Sequence, residues 1–295
     1  AGFYTAYGVV MLNALVGNLN AIGGTTAGGG SFKAVAKGPR YDLKSFPGRV
    51  KPRGVDAGRG GFAYERTSEY KRKVAAGENP YPARAPWHAF TQPMGAHWLA
   101  SLLEGYPYKA RALVTWSSNP VYGVAGLRET IDEKIRDPRN LPLMISIDAF
   151  INETSTYADY IVPDRIFYEA WGWTKPWGAV TVKDATARWP VVDCLTGTTP
   201  DGRHIDMETF FIDVAKRMGL PGFGEGAIPD AEGQLHPLHR AEDFWLRAGA
   251  NVAFDGDPVP EADDAEMALT GVDRFADLMR ATLKPEEWRR VGYVL

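Results

Sequence analysis

The chain has 295 residues, of which 45% are hydrophobic and 23% charged, the balance of a globular protein able to bury a core. Lys plus Arg number 33 against 36 Asp plus Glu, and the formal net charge of −3 lacks the basic excess of a nucleic-acid binder. A single cysteine, Cys194, excludes an internal disulfide, a thiolate zinc centre and an iron–sulfur cluster held by these residues alone.

The sequence starts at Ala1 without a basic leader or a long apolar run, so it reads as a mature or truncated chain with no direct membrane insertion. Gly at 32 and Pro at 21 exceed the usual combined share of roughly an eighth, which predicts extensive loop. Apolar residues at 9, 12, 15 and 16 predict an opening helix with one broad apolar face, ending near Asn18 to Asn20 before Gly23, Gly24 and Gly28 to Gly30. From 37 to 95 no apolar period persists and prolines recur, which predicts a long irregular insert. Its aromatics Tyr64, Tyr70, Tyr81, Trp87 and Phe90 favour docking over a free linker. The cluster Glu69-Tyr70-Lys71-Arg72-Lys73 reads as a solvated helical turn, with an anion site as the alternative.

The centre of the chain is more regular. Residues 112–116 and 143–147 read as buried strands joined by an amphipathic helix over 124–136, and 160–162 supplies a third strand. Strand, helix, strand with short connections is a βαβ unit, so the expected class is α/β with a parallel sheet, its core lying within 110–192. Short strands are expected at 180–182 and 188–192, then a helix over 206–218 that opens a helical C-terminal portion, 206–295. Within that portion 240–250 and 273–283 have helical spacing, Pro285 suits a first helical turn, and Tyr293-Val294-Leu295 reads as an interrupted strand.

In an open parallel sheet, ligands sit outside the carboxyl ends of the strands. There the chain offers Ser117-Ser118-Asn119-Pro120 after the first strand and Asp148-Ala149-Phe150-Ile151-Asn152-Glu153-Thr154 after the second. Small residues, free N–H groups and an amide ahead of a helix suit a phosphate or a polar heterocycle. A carboxylate at the neighbouring tip can accept two parallel hydrogen bonds from guanine N1–H and its amino group, which adenine cannot match. The plain alternative makes Asn119-Pro120 a turn and Asp148 a strand-end cap. No G-x-G-x-x-G follows the first strand, which argues against a site of the NAD type. His236 and His239 have loose metal-ligand spacing but no recognisable third partner, so a loop or helix cap is expected there. His88, His97 and His204 are isolated, Cys194 reads as a core thiol, and the tryptophans read as packing residues or the lining of a substrate funnel. No catalytic residue and no metal ligand is assigned.

The order of these motifs carries further meaning. Leu113 to Pro120, a crossover helix, Ile147 to Thr154, then Tyr157-Ala158-Asp159-Tyr160-Ile161-Val162-Pro163 and Glu169 resembles the dimethyl-sulfoxide-reductase family of molybdopterin oxidoreductases. The segment Leu15-Val16-Gly17-Asn18-Leu19-Asn20 with Gly23-Gly24 is similar to that family's approach to its active site. Asn79-Pro80-Tyr81-Pro82, Trp171-Gly172-Trp173-Thr174 and Ala187-Arg188-Trp189-Pro190 are most similar to its tetrathionate-reducing group, with arsenate, thiosulfate and polysulfide reductases as near relatives.

The resemblance implies molybdenum or tungsten bound by bis(molybdopterin guanine dinucleotide), which would carry the redox chemistry of a sulfur-oxyanion reductase, most simply tetrathionate to thiosulfate. It places Asn119 and Asp148 against a guanosine end, Ser117 and Ser118 beside it, Thr154 nearby, and Gly23 and Gly24 toward the pterin. Glu169 and Arg188 match recurrent positions, as cofactor contacts or a structural ion pair. A 4Fe-4S cluster in a preceding segment, an iron–sulfur electron-transfer subunit, a quinol-oxidising membrane subunit and a periplasmic address are implied in the same way. On this reading the chain is an internal piece of a longer polypeptide, and a non-catalytic scaffold subunit of the same fold is the second possibility.

Overall fold

The opening apolar spacing forms α1 (Phe3–Leu15) in the computed structural model, which describes residues 3–25, 30–49, 57–58, 64–81, 83–84, 97–174 and 182–295. No Asp, Glu, Lys or Arg precedes Lys33. The apolar face expected there is uncovered: Tyr4, Val9, Leu12 and Leu15 are all exposed, so α1 is apolar on sides that no described residue covers. The chain divides into two compact units, one of Ala1–Arg49, Ile166–Leu195 and Phe211–Leu295, the other of Val50–Arg165 and Thr196–Phe210. Among the described residues no helix is long and apolar enough to cross a membrane.

The second unit contains α2 (Ser68–Ala75), α3 (Trp98–Leu103), β1 (Leu113–Trp116), α4 (Pro120–Gly123), α5 (Leu127–Ile135), β2 (Met144–Asp148) and β3 (Tyr160–Pro163). The three strands form one parallel sheet in the order β1-β2-β3, as the βαβ reading requires. Leu127, Ile131 and Ile135 recur every fourth residue on α5 and bury one stripe against Leu99, Leu102 and Leu103 of α3 and against Met144. Each such buried side chain contributes about 1.5–3 kcal/mol. The helix expected over 124–136 begins only at Leu127, because Gly126 adopts the left-handed conformation (φ +70°) and separates it from the short α4 that precedes the expected range. The insert is not wholly irregular either. Thr67 caps α2 by accepting from the Tyr70 N–H, so Glu69 to Lys73 is a regular helical turn, as its charge spacing predicts. Residues 85–96, with Trp87, His88 and Phe90, lie outside the described residues.

The first unit adds β4 (Gly172–Thr174), β5 (Thr186–Arg188), most of α6 (Met207–Arg217), β6 (Gly224–Pro229), β7 (Leu235–Leu238), α7 (Ala241–Ala253), α8 (Asp264–Thr270), α9 (Ala276–Thr282) and α10 (Trp288–Val294). Three expectations are corrected. The strand expected at 188–192 is instead β5, paired antiparallel with β4, because Pro190 has no N–H to continue a ladder. His236, Pro237 and Leu238 are not loop but part of β7, the second arm of a hairpin within a portion expected to be helical, while His239 does lie in the bend before α7, its N–H donating to Asp243. Tyr293 and Val294 end a helix rather than begin a strand, since the pattern there serves the α10 face on which Val291 is buried. The strand expected at 180–182 falls almost wholly outside the described residues.

The core of this unit is α7. Ala248, Gly249 and Ala250 keep it slim enough for Val291 and Trp173 to approach, a Cβ on Gly249 meeting each at 3.0 Å. Asn251, fully buried, uses its whole amide: Oδ1 accepts from the N–H groups of Arg40 and Tyr41, and Nδ2 donates to Ala34 O and Tyr41 O. Buried Glu287 accepts from the Tyr41 hydroxyl at 2.7 Å and from Arg40. Trp171 is buried and Trp189 packs on the same core, while the Trp173 indole donates to Trp245 O, so these tryptophans pack rather than line a funnel. Cys194 is partly exposed and not in a core.

Candidate cofactor-binding site

β1 ends at Trp116, and its ladder runs one residue further, with the Ser117 N–H donating to Ile147 O at 3.1 Å. Ser117 then turns the chain at φ +44°, a conformation that costs a non-glycine residue about 1–3 kcal/mol and persists only where the surroundings impose it. The turn delivers Asn119 to the start of α4, with Pro120 in the first helical position.

Asn119 joins the two strand tips. Its Oδ1 accepts from the Thr154 N–H at 3.2 Å and the Thr154 hydroxyl at 2.8 Å, and its Nδ2 donates to Glu153 at 2.6 Å. The Thr154 hydroxyl in turn accepts from the Val121 N–H at 3.1 Å. At the second tip, Asp148 Oδ1 accepts from the Phe150 N–H at 3.2 Å and Oδ2 from Asn152 Nδ2 at 3.0 Å. Asn152 Oδ1 receives the N–H groups of Thr154 and Ser155, so the whole loop after β2 folds around one amide. The Asn119 amide holds the exposed Glu153 carboxyl below its ordinary value.

Five of the seven residues singled out in the sequence therefore meet at one edge of the parallel sheet: Ser117, Ser118, Asn119, Asp148 and Thr154. Their states differ. Thr154 is fully buried with its hydroxyl engaged on both sides, so it braces the loops and has no surface for a ligand. Asn119 and Asp148 do perform the turn and cap roles of the plain reading. Asp148 is half-buried, and a carboxylate has about four lone-pair positions, so two remain after its two internal bonds.

Gly23 and Gly24 belong to the first unit, in a turn of their own. Gly23 has φ +77°, and a Cβ on Gly24 would lie 2.2 Å from Asn18 O, which explains the glycine by the turn itself. Glu169 accepts from the N–H groups of Ile166 and Leu195, and the Arg188 guanidinium sits 4.1 Å over the Phe167 ring, so both hold local structure in that unit. His236 and His239 face separate carboxylates, Asp230 at 3.0 Å and Glu225 at 2.9 Å. Among the described residues no three His, Cys, Asp or Glu side chains are grouped to hold a metal.

Sequence reasoning gave no role to Asn152, Glu153 or the Trp116–Asp164 pair. The Asp148-x-x-x-Asn152 spacing was a readable signal, since an Asn four residues on can close a loop back onto a carboxylate. The Trp116 indole donates to Asp164 Oδ2 at 2.7 Å, and Asp164 Oδ1 accepts from the Met207 N–H, which pins an exposed ring at the tip of β1. Phe150, Ile151 and Tyr122 are also exposed on or beside these loops. The edge combines carboxylates (Asp148, Glu153, Asp164) with exposed aromatic surface, while Arg165 is occupied by buried Asp206 at 2.7 Å. Such an acceptor set suits a ligand rich in N–H groups and a flat face. It does not suit a bare phosphate.

With this geometry in place, whole-chain comparison shows what the chain is similar to. It is 52% identical over 294 residues to the A subunit of tetrathionate reductase from Salmonella typhimurium, covering 99% of this chain and 29% of that protein. The A subunit of selenate reductase from Mesobacillus selenatarsenatis is 32% identical over 313 residues, and the A subunit of tetrathionate reductase from Archaeoglobus fulgidus is 33% identical over 315. Each of these two matches spans all of this chain and, respectively, 28% and 27% of the relative, so the chain spans less than a third of the length of these relatives. No family model and no solved structure matches it.

Proposed function

We propose that the second unit grips one guanosine end of a molybdenum bis(molybdopterin guanine dinucleotide), in a catalytic subunit that reduces a sulfur oxyanion, tetrathionate first among the candidates. One observation carries the reading: the amide-bearing tip of β1 and the acidic tip of β2 are tied together by the hydrogen bonds of Asn119, at the sheet edge where α/β ligands lie. The acceptor chemistry fits. Asp148 keeps lone pairs for guanine N1–H and its amino group, Glu153 is a second acceptor, and the Trp116 ring, fixed by Asp164, offers a stacking face.

The bound group would supply the two electrons that split the central S–S bond of tetrathionate into two thiosulfates. The residues of this chain bind and orient. Ser117 directs the loop, Thr154 and Asn152 brace it from inside, and Asp148 selects guanine over adenine. The electrons are proposed to come through a 4Fe-4S cluster outside this chain, then an iron–sulfur partner protein with a quinol-oxidising membrane subunit, in the periplasm. The full use of Asn119 inside the loops favours a second reading, a scaffold that keeps the fold without the cofactor.

Asp148→Ala in the complete protein separates the two. The cofactor reading expects a loss of about 1.5–3 kcal/mol in retention, seen as lower molybdenum content and less guanine released on acid hydrolysis. Unchanged molybdenum and guanine in the variant would overturn it.

A further inference from the structure

A cavity of about 600 Å³ opens beside α2, lined by residues that take no part in the strand-tip site. Its wall holds Arg72, Lys73 and Arg84 against one carboxylate, Glu69, with Ser68 and Tyr106 between them. One oxygen of Glu69 is committed: Oε1 accepts from Lys73 Nζ at 3.1 Å and from the Arg84 N–H at 2.9 Å, which ties α2 to the segment carrying Arg84. The two guanidiniums are held loosely. Arg72 reaches Glu78 and Arg84 reaches Glu104, each at 3.6 Å between half-exposed partners, a distance and exposure at which an ion pair contributes little. Glu104 has a closer cation in Lys134 at 2.6 Å, so it does not depend on Arg84. The Arg84 guanidinium lies 5.3 Å from the centre of the Tyr106 ring, which leaves its N–H groups to the sides. Two planar forks at one cavity match the oxygens of a tetrahedral anion, and Ser68 adds a hydroxyl at the positive end of α2.

We propose that this cavity is a second anion site, taking a doubly charged tetrahedral oxyanion of the class of sulfate, thiosulfate or phosphate, clamped by Arg72 and Arg84. The volume leaves room for the ion with part of its hydration shell. The site stands whether or not tetrathionate is the substrate, because sulfate and phosphate probe it without turnover.

Calorimetric titration of the complete protein at low ionic strength tests it, with sodium sulfate, thiosulfate and phosphate in turn and sodium chloride at matched ionic strength as control. At least one dianion is expected to bind saturably, and the ranking of the three identifies whether the natural ion is a sulfur oxyanion or phosphate. Arg72→Ala and Arg84→Ala should each weaken it about tenfold. Glu78→Gln, which frees Arg72 without altering the wall, should tighten it two- to threefold, and this arm stands even if an arginine variant folds poorly. No dianion binding, equal binding of chloride, or affinities unmoved by Arg72→Ala and Glu78→Gln would overturn the proposal.

Discussion

Ser117 and Asn119 do unequal work within three positions of chain. Ser117 supplies a conformation: at φ +44° a branched side chain clashes with its own backbone, so Ser117→Val should destabilise the protein by about 1–3 kcal/mol, whereas Ser117→Gly should be neutral to stabilising, since relief of the strain is offset only by about 0.5–1 kcal/mol of glycine's chain entropy. Comparing thermal midpoints of the two variants checks this. Asn119 supplies connections, and Asn119→Ala leaves the buried Thr154 hydroxyl without its acceptor while the Thr154 N–H keeps Asn152 Oδ1, an expected cost of about 1–3 kcal/mol in the same measurement. The candidate site was legible because strand ends can be read from apolar runs, and ligands of parallel sheets lie just beyond those ends. The division of labour within it was not legible. Whether Thr154 faces outward or sits under Asn119 depends on how two loops 34 residues apart in sequence meet, which no local pattern encodes. Nor could the Trp116–Asp164 bond be foreseen, since it joins the end of β1 to a residue beyond β3.

At the level of elements, the parallel sheet and α5 follow from patterns the sequence displays plainly: apolar runs of four or five residues, and Leu127, Ile131 and Ile135 at helical spacing. Ile131, wholly buried between α3 and the sheet, should cost about 2–5 kcal/mol when replaced by alanine, read from the denaturant midpoint. The β6–β7 hairpin escaped the same patterns because its strands contain Gly224, Gly226, Pro229 and Pro237, residues that signal loop when read alone. A polar centre compensates. Asp230 accepts from the N–H groups of Glu232 and Gln234, from His236 and from Lys284. Burial alone would raise its pKa, but the hydrogen bonds of His236, Lys284 and Gln234 outweigh it and hold the carboxyl well below the usual range. A depressed carboxyl stabilises the fold above its unfolded value of about 4, and that contribution fades as pH falls toward the folded value. Asp230→Asn should therefore lower the midpoint clearly at pH 7. The gap between parent and variant should narrow progressively below about pH 4.

At the scale of the whole molecule, two surfaces are left without the cover their composition calls for among the described residues. Parallel sheets are normally buried on both faces, yet Val114, Trp116 and Tyr160 are 40%, 53% and 64% exposed, and α1 exposes Leu12 and Leu15 at 64% and 76%. Contiguous apolar surface of this kind binds hydrophobic dyes and promotes association. In the 295-residue chain, charged replacements such as Leu12→Lys with Leu15→Glu should reduce dye fluorescence and raise solubility, because they alter surface that the described residues leave open. Activity follows a different logic. The proposed function assigns this chain binding and orientation, and it corresponds to 29% of the Salmonella typhimurium relative. The chain by itself is therefore expected to show no oxidation of reduced viologen by tetrathionate, even if it retains affinity for a guanine nucleotide, while a polypeptide of the relatives' length turns over. Viologen oxidation by the 295-residue chain would place the reacting centre within residues to which only positioning is assigned, and would overturn that division of roles.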